Sequence, residues 1–390
     1  MKILILGRAL LPSIPSLGNL PPEVYKYIED SYKTDVTIRF PAGMLIPGAP
    51  YSGRRYFALA FALAKIADVK FYGPGYPNYT ESWLPTYREI DVLDVIKRLY
   101  PNDYPDVIMQ LSPSNAEGMI SSFANFEKVQ CLRVLWAADF HNDVSEPTIQ
   151  KHLEEHAWDL IIKSWDVNNL TQYSQKMVQL GIPMEWVPFS IDPEVFKDYG
   201  LPKSYDVINM GSFNSSYYPL RIAMHEALVA HRDNIKYVCG YDFVTETNRL
   251  AGVLTDEYAR IINQGKLYAT CTSTFKYPGL KLFEIMGCNT LLVSDTPFDA
   301  EELGLKAGEN YVQVGTDSWF QRKGPKDHPI NMDDWSCDKD KFLALVSHYL
   351  AHPDEAARIS KNGYNLVHSR HTNDIRAKEF LQVLQKHRRG

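Results

Sequence analysis

Short apolar runs recur along this chain, separated by longer stretches whose apolar residues repeat at helical spacing. Runs of strand length bounded by turn residues predict buried β-strands, and the stretches between them predict amphipathic helices. In the first half the predicted strands are Lys2–Leu6, Val69–Tyr72, Asp106–Gln110, Leu132–Trp136, Leu160–Lys163 and Glu185–Pro188. Helical patterns cover Arg54–Ala67, Ile90–Leu99, Thr148–Glu155 and Val167–Leu180. The second half repeats the theme, with strands at Asp206–Met210, Ile235–Val238, Leu267–Thr270, Thr290–Val293 and Asn310–Val314. Its intervening helices are Tyr217–Ala230, Thr255–Asn263 and Gly279–Met286. Such alternation predicts an α/β protein with parallel sheets covered on both faces, built twice.

The seam falls in the turn-rich stretch Ser190–Ser204. It divides the chain into a first domain (1–190), a linker (191–204), a second domain (205–370) and a terminal helix (371–390). After Val314 the pattern changes to a polar, proline-containing loop, Asp317–Ser336, followed by helices at Lys339–Leu350, Asp354–Val367 and Asn373–Lys386. His371-Thr-Asn supplies a cap for the last helix, and the basic end Lys386-His-Arg-Arg complements a helix C-terminus.

One stretch carries more chemistry than the rest: Tyr277–Pro297, YPGLKLFEIMGCNTLLVSDTP. Pro278 and Gly279 stand where a helix begins, Leu280 and Lys281 lie in its first turn, and Glu284 lies one turn further on. A helix start exposes unpaired backbone N–H groups and the positive end of a dipole, which suits phosphate. A carboxylate one turn inside can accept hydrogen bonds from ribose hydroxyls. The competing reading is an ordinary amphipathic helix on a sheet, with Glu284 facing water.

Composition narrows the classes. At 390 residues the chain exceeds one ordinary core and predicts two domains. A net charge of −6 argues against a broad electrostatic grip on nucleic acid, though not against a local basic groove. Abundant tyrosines suit stacking on sugars or bases, and equally suit packing. The odd cysteine count, with no Cys-x-x-Cys pair, predicts reduced thiols and a cytoplasmic protein. MKILILGRALL reads as a first buried strand, because Gly7 and Arg8 interrupt a run too short for a signal peptide. The longest helical apolar stretch, Tyr56–Ala64, is too short to cross a bilayer.

Several segments in one order resemble the GT-B glycosyltransferases, in particular the group related to the spore-maturation protein CgeB and its glycosyltransferase family 1/4-like C-terminal domain. They are FYGPGYP (Phe71–Pro77), VLWAADFH (Val134–His141), VPFSIDPEVFKD (Val187–Asp198), DVINMGS (Asp206–Ser212) and YYPLR (Tyr217–Arg221). YPGLKLFEIMGCNTLLVSD (Tyr277–Asp295), ELGLKAGENYV (Glu302–Val312) and HTNDIR (His371–Arg376) follow. The resemblance implies GT-B architecture: two Rossmann-like parallel-sheet domains facing across a cleft, with C-terminal helices. It further implies an acceptor domain first, a nucleotide-sugar donor domain second, and a last helix packing back on the first domain.

Ligands of parallel sheets bind beyond the carboxyl ends of the strands, and Gly211-Ser212 follow the first strand of the second half. Gly211 lets backbone approach a diphosphate, and Arg221 can neutralise it with a forked contact or lie on the helix surface. Lys281 is a first-turn phosphate partner or a solvated side chain. Tyr241 can stack on a base or pack. Many retaining GT-B enzymes carry two glutamates separated by seven residues; Glu284 matches the second, but Lys276 stands where the first is expected. A cation cannot accept a hydrogen bond from a sugar hydroxyl, so Lys276 is expected to contact phosphate or an acidic group instead. On the acceptor side, Asp139 and His141 follow strand Leu132–Trp136 and can act as base or orient the acceptor, or serve as a cap and a structural histidine. Gly53 and Arg54, at a helix start, can touch acceptor or diphosphate.

Other signals fall away. Asp338-Lys-Asp340 superficially matches the Asp-x-Asp metal site of GT-A glycosyltransferases but precedes a helix, which predicts capping. His152 and His156 lack a third metal ligand. No Gly-x-Gly-x-x-Gly opens either domain, no P-loop appears, and Ser112-Pro-Ser114 has no nucleophile-elbow context. The expected activity is glycosyl transfer from a nucleotide-diphosphate sugar, UDP first, to a hydroxyl-bearing acceptor, with no bound metal and no covalent cofactor. A nucleotide-sugar epimerase of the same architecture and a non-catalytic sugar-binding or spore-coat-type protein are the alternatives; Lys276 favours the latter.

Overall fold

The computed structural model describes residues 1–7, 51–73, 89–112, 122–137, 157–164, 179–211, 213, 217–239, 256–273, 276–314, 320–322 and 335–388. The chain divides into two compact units, one of Met1–Pro188 with Leu250–Gly252 and Asn373–Gly390, the other of Phe189–Arg249 with Val253–Thr372.

In the first unit the described elements are β1 (Lys2–Leu6), α1 (Tyr51–Ala64), β2 (Asp68–Tyr72), β3 (Glu89–Asp91), α2 (Val92–Leu99), β4 (Val107–Ser112) and β5 (Ser122–Ala124). They continue through β6 (Leu132–Ala137), β7 (Leu160–Lys163) and β8 (Met184–Trp186). Six strands form one sheet in the order β2-β1-β4-β6-β7-β8, and every pairing in it is parallel. The predicted strands Lys2–Leu6 and Leu160–Lys163 coincide with β1 and β7. Helices predicted at Thr148–Glu155 and over most of Val167–Leu180 lie outside the described residues.

Side chains alternate between sheet faces, and one face collects Ile3, Ile5, Val107, Met109, Val134, Trp136, Leu160 and Ile162 into a core. Leu59 and Leu63 of α1 cover it. At the strand ends β1 and β2 meet backbone to backbone: Gly7 N–H donates to Tyr72 O at 3.1 Å. A Cβ on Gly73 (φ +149°) would lie 2.0 Å from Gly7 O, so only glycine fits there. Arg133 holds Asp159 in a fork, Nε–Oδ2 2.9 Å and Nη2–Oδ1 2.8 Å, which ties β6 to the start of β7.

The second unit contains β9 (Tyr205–Asn209), α3 (Pro219–Val229), β10 (Tyr237–Cys239), α4 (Asp256–Asn263), β11 (Gly265–Ala269), α5 (Leu280–Gly287), β12 (Leu291–Ser294) and β13 (Val312–Gln313). β14 (Phe320–Arg322), β15 (Trp335–Cys337), α6 (Lys339–Ala351) and α7 (Pro353–Arg370) complete it. Five strands form a second parallel sheet, ordered β10-β9-β11-β12-β13. Val207, Leu267, Leu291, Val293 and Val312 pack on one face against Leu220 and Met224 of α3 and Phe342 and Val346 of α6.

The polar loop expected at Asp317–Ser336 is not structureless: β14 and β15 pair antiparallel, with Phe320 opposite Cys337 and Arg322 opposite Trp335. Strand-favouring aromatics at both ends of a polar segment account for the pairing. Asp338 caps α6, accepting from Lys341 N at 3.0 Å, as its position before a helix predicts.

Residues 189–204 pack within the second unit. Ile191 N–H donates to His371 O at 2.9 Å. Asp198 accepts from Asn263 Nδ2 (3.1 Å) and Asn289 Nδ2 (2.8 Å). Lys203 Nζ donates to Asn263 O (2.7 Å) and Asn289 O (3.0 Å). The chain is thereby laced to the amino-terminal edge of the second sheet.

After Thr372 the final helix, α8 (Asn373–His387), belongs to the first unit. Ala377, Phe380 and Leu384, spaced along one helical face, enter its core, and the Phe380 ring meets Trp136 edge-on at 5.1 Å. Lys386 and His387 both reach Glu185 Oε1 at 2.6 Å. Phe380→Ala should destabilise the first unit by about 3–5 kcal/mol, because the cavity cost adds to lost apolar burial. Urea unfolding followed by tryptophan fluorescence measures it.

Candidate active site

At the carboxyl edge of the second sheet, β9 runs out through Met210 into Gly211, whose φ of +140° suits glycine and little else. The bare backbone there is a meeting point. A Cβ on Gly211 would stand 2.9 Å from Arg221 Nη1 and 3.1 Å from Lys281 Nζ. Arg221 comes from the first turn of α3 and Lys281 from the first turn of α5. Two cations from two helix starts thus converge on one strand end.

Neither cation is held by chance. Arg221 is buried, not a surface residue: Nη2 donates to Thr270 Oγ1 (3.3 Å) and Cys271 O (3.4 Å), and the guanidinium lies 4.1 Å over the Tyr218 ring. Lys281 is partly exposed but tethered. Its Nζ donates to Met210 O at 2.8 Å and to Tyr258 Oη at 3.1 Å. Tyr268 braces the same turn by donating to Met210 O (2.9 Å) and accepting from Met210 N (3.2 Å). Burial pushes the Tyr268 phenol up to about 12 and the Cys271 thiol up to about 12. Both therefore stay protonated at neutral pH and add no charge to the cationic turn.

Gly279 is the N-cap of α5, with no side-chain cap bond, and space for a Cβ is open beside it. The backbone N–H groups of the first turn thus lie next to Lys281. Pro278 and Leu280 flank this start, Leu280 being buried. Glu284 is fully buried, which overturns the water-facing alternative. Leu280, Leu282, Phe283, Ile285 and Met286 are buried with it, and Lys281 is the partly exposed side chain of the helix.

Lys276 has φ +61° and pairs with an acidic group: Nζ reaches Asp295 Oδ2 at 2.5 Å. Asp295, itself buried at the exit of β12, also accepts from Thr272 N (2.7 Å) and Thr272 Oγ1 (2.6 Å).

The structure therefore brings Gly211, Arg221, Lys281, Pro278, Gly279, Leu280, Lys276 and Glu284 to one edge of one sheet. Gly53 and Arg54 fall in the first turn of α1, with side chains outside the described residues. Ser212, Tyr241, Asp139 and His141 also lie outside them. Sequence reasoning missed Tyr258, Tyr268, Thr270, Thr272 and Asp295. Only Asp295 carried a local signal, an acid directly after the apolar strand LLVS. Among the described residues no group of three or more His, Cys, Asp or Glu could hold a metal ion, and no helix is long and apolar enough to cross a membrane.

Comparison with known proteins bears on the fold. Residues 221–382 match the model of the "Glycosyl transferase-like" family. The whole chain superposes on Anabaena Alr3699/HepE, crystallised with UDP and glucose: TM-score 0.53, 14% identity, 99% of this chain and 100% of the other. It also superposes on a sucrose-phosphate synthase from Thermosynechococcus elongatus: TM-score 0.54, 12% identity, 99% of each chain. No curated protein sequence matches. The fold is that of the GT-B glycosyltransferases.

A side chain at Gly211 meets both a strained backbone and two anchored cations. Gly211→Ala should cost about 1–3 kcal/mol, read as a lowered Tm in thermal unfolding.

Proposed function

We propose that this protein moves a glycosyl group from a nucleoside diphosphate sugar, a UDP-sugar before others, to a hydroxyl-bearing acceptor. The observation that carries the reading is the convergence of Arg221 and Lys281 on Gly211 beside the open start of α5. Breaking the anomeric bond puts negative charge on the departing diphosphate, and preorganised positive groups stabilise that charge as it develops. The two cations and the α5 N–H groups supply it. Glu284, one turn inside α5, addresses the ribose hydroxyls once the side chains that bury it move aside, and Tyr241 stacks on the base. Gly211 and Ser212 admit the diphosphate. The UDP bound by the Anabaena protein of the same fold makes UDP the first nucleotide to test.

In this reading residues 205–370 hold the donor and residues 1–190 the acceptor. Asp139 and His141 take the acceptor proton or orient its hydroxyl, and Gly53 and Arg54 contact the acceptor. Buried free thiols at Cys131, Cys239, Cys271 and Cys288 support a reducing, cytoplasmic setting.

A second reading, a nucleotide-sugar-binding protein without turnover, draws on the engagement of Lys276 by Asp295, which leaves a cation where a donor-sugar carboxylate is expected. Calorimetric titration with UDP, GDP and dTDP, followed by nucleotide-release assays with and without acceptors, separates the two. Binding with release only when acceptor is added supports transfer. Release without acceptor points to hydrolysis, and binding with no release supports the second reading.

Lys281→Ala should weaken UDP binding about 10–100-fold, the loss expected for a charge-assisted contact. Glu284→Ala should weaken donor binding as well. Asp139→Asn should lower kcat more than donor affinity. Unchanged values in all three variants would remove these assignments.

A further inference from the structure

The cationic turn depends on a segment that the chemistry above does not use. Between β11 and α5 the chain runs through Thr272, Ser273 and Lys276 before reaching Pro278 and Gly279. This segment is laced to the exit of β12 at several points. Asp295 Oδ1 accepts from Thr272 N at 2.7 Å, and Ser294 Oγ lies 3.4 Å from the same oxygen. Asp295 Oδ2 accepts from Thr272 Oγ1 at 2.6 Å and from Lys276 Nζ at 2.5 Å. The backbone of Lys276 is fastened on both sides, its N–H donating to Ser273 O (2.9 Å) and its carbonyl accepting from Phe298 N (2.8 Å).

Lys276 holds a left-handed backbone conformation, φ +61°, that a side chain other than glycine adopts at a cost. Asp295 is a carboxylate taken almost wholly out of water, where an unpaired charge is expensive. Each is an awkward choice alone. Together they neutralise one another and fix the direction in which the chain enters α5, three residues before its N-cap.

We propose that Asp295 and Lys276 act as positioning residues. As an ion-paired latch they aim the amino end of α5, with Lys281 on it, at the diphosphate of the donor. This rests on the nucleotide-sugar reading and deepens it: the latch touches no substrate, yet it sets affinity and turnover by orienting groups that do. Misplacing such groups by an ångström can cost as much as about 100-fold in rate.

The test compares donor affinity with fold stability. The double variant Asp295→Asn with Lys276→Gly leaves no unpaired buried charge, keeps an amide oxygen for Thr272 and suits the left-handed backbone. UDP and UDP-glucose are the titrants, the Kd comes from calorimetry and Tm from thermal unfolding. The expected result is a Kd raised about tenfold or more with Tm near that of the unmodified protein. Lys276→Arg, which keeps the ion pair, should retain affinity, and Lys276→Met should lose it. An unchanged Kd in the double variant overturns the latch, as does a loss of affinity that appears only with a matching collapse in Tm. If the unmodified protein binds neither titrant nor GDP nor dTDP, the nucleotide-sugar reading itself fails, and the latch with it.

Discussion

Two positive charges cannot be brought against one glycine unless the surrounding fold holds them there. Arg221 and Lys281 stand at the same strand end, and like charges at such range repel. The second unit meets that repulsion with fixed acceptors. Thr270 Oγ1 and Cys271 O take the guanidinium, while Met210 O and Tyr258 Oη take the ammonium. Only carbonyls and hydroxyls are used in these contacts. These fixed partial charges hold both cations in place at the strand end.

That arrangement rests on the opposite edge of the sheet. There Asp198 and Lys203 clamp Asn263 at the end of α4 and Asn289 in the turn after α5. Asn263 Nδ2 also donates to Cys288 O at 2.7 Å. Both ends of α5 are consequently fixed: its start by the segment laced to Asp295, its finish by this amide network. Gly287 permits the close packing at the finish, since a Cβ there would lie 2.5 Å from Ile191 Cδ1. An eight-residue helix has little stability of its own. Its use as a rigid platform follows from tertiary tethers and from burial on nearly every side.

Much of this was legible in the residues, and the reasons for what was not are physical. Parallel strands buried on both faces write themselves as continuous apolar runs, so β1 and β7 fall at their predicted bounds. Asp338 is a short-range cap and was readable for that reason. The burial of Glu284 was not readable, because Lys281 stands three residues before it in LKLFEIMG and the pair could have formed a solvent-facing stripe. Nor were the tethers on the cations. Tyr268 meets Met210 across 58 positions of sequence, and no local pattern encodes which strands lie side by side. The Lys276–Asp295 pair spans 19 positions; its two members were visible, but their pairing depends on β11 and β12 being neighbours.

Lys276 shows why a single position cannot be judged alone. A lysine at the end of a parallel sheet, beside two other cations, would add to their repulsion if it stood unbalanced. Asp295 removes that difficulty by accepting the charge at the moment it is introduced, and it does so from the neighbouring strand exit, not from α5. The charge of Lys276 is thus met within the segment that leads into α5. A lysine that would burden this sheet edge on its own is absorbed as structure through its pairing with Asp295.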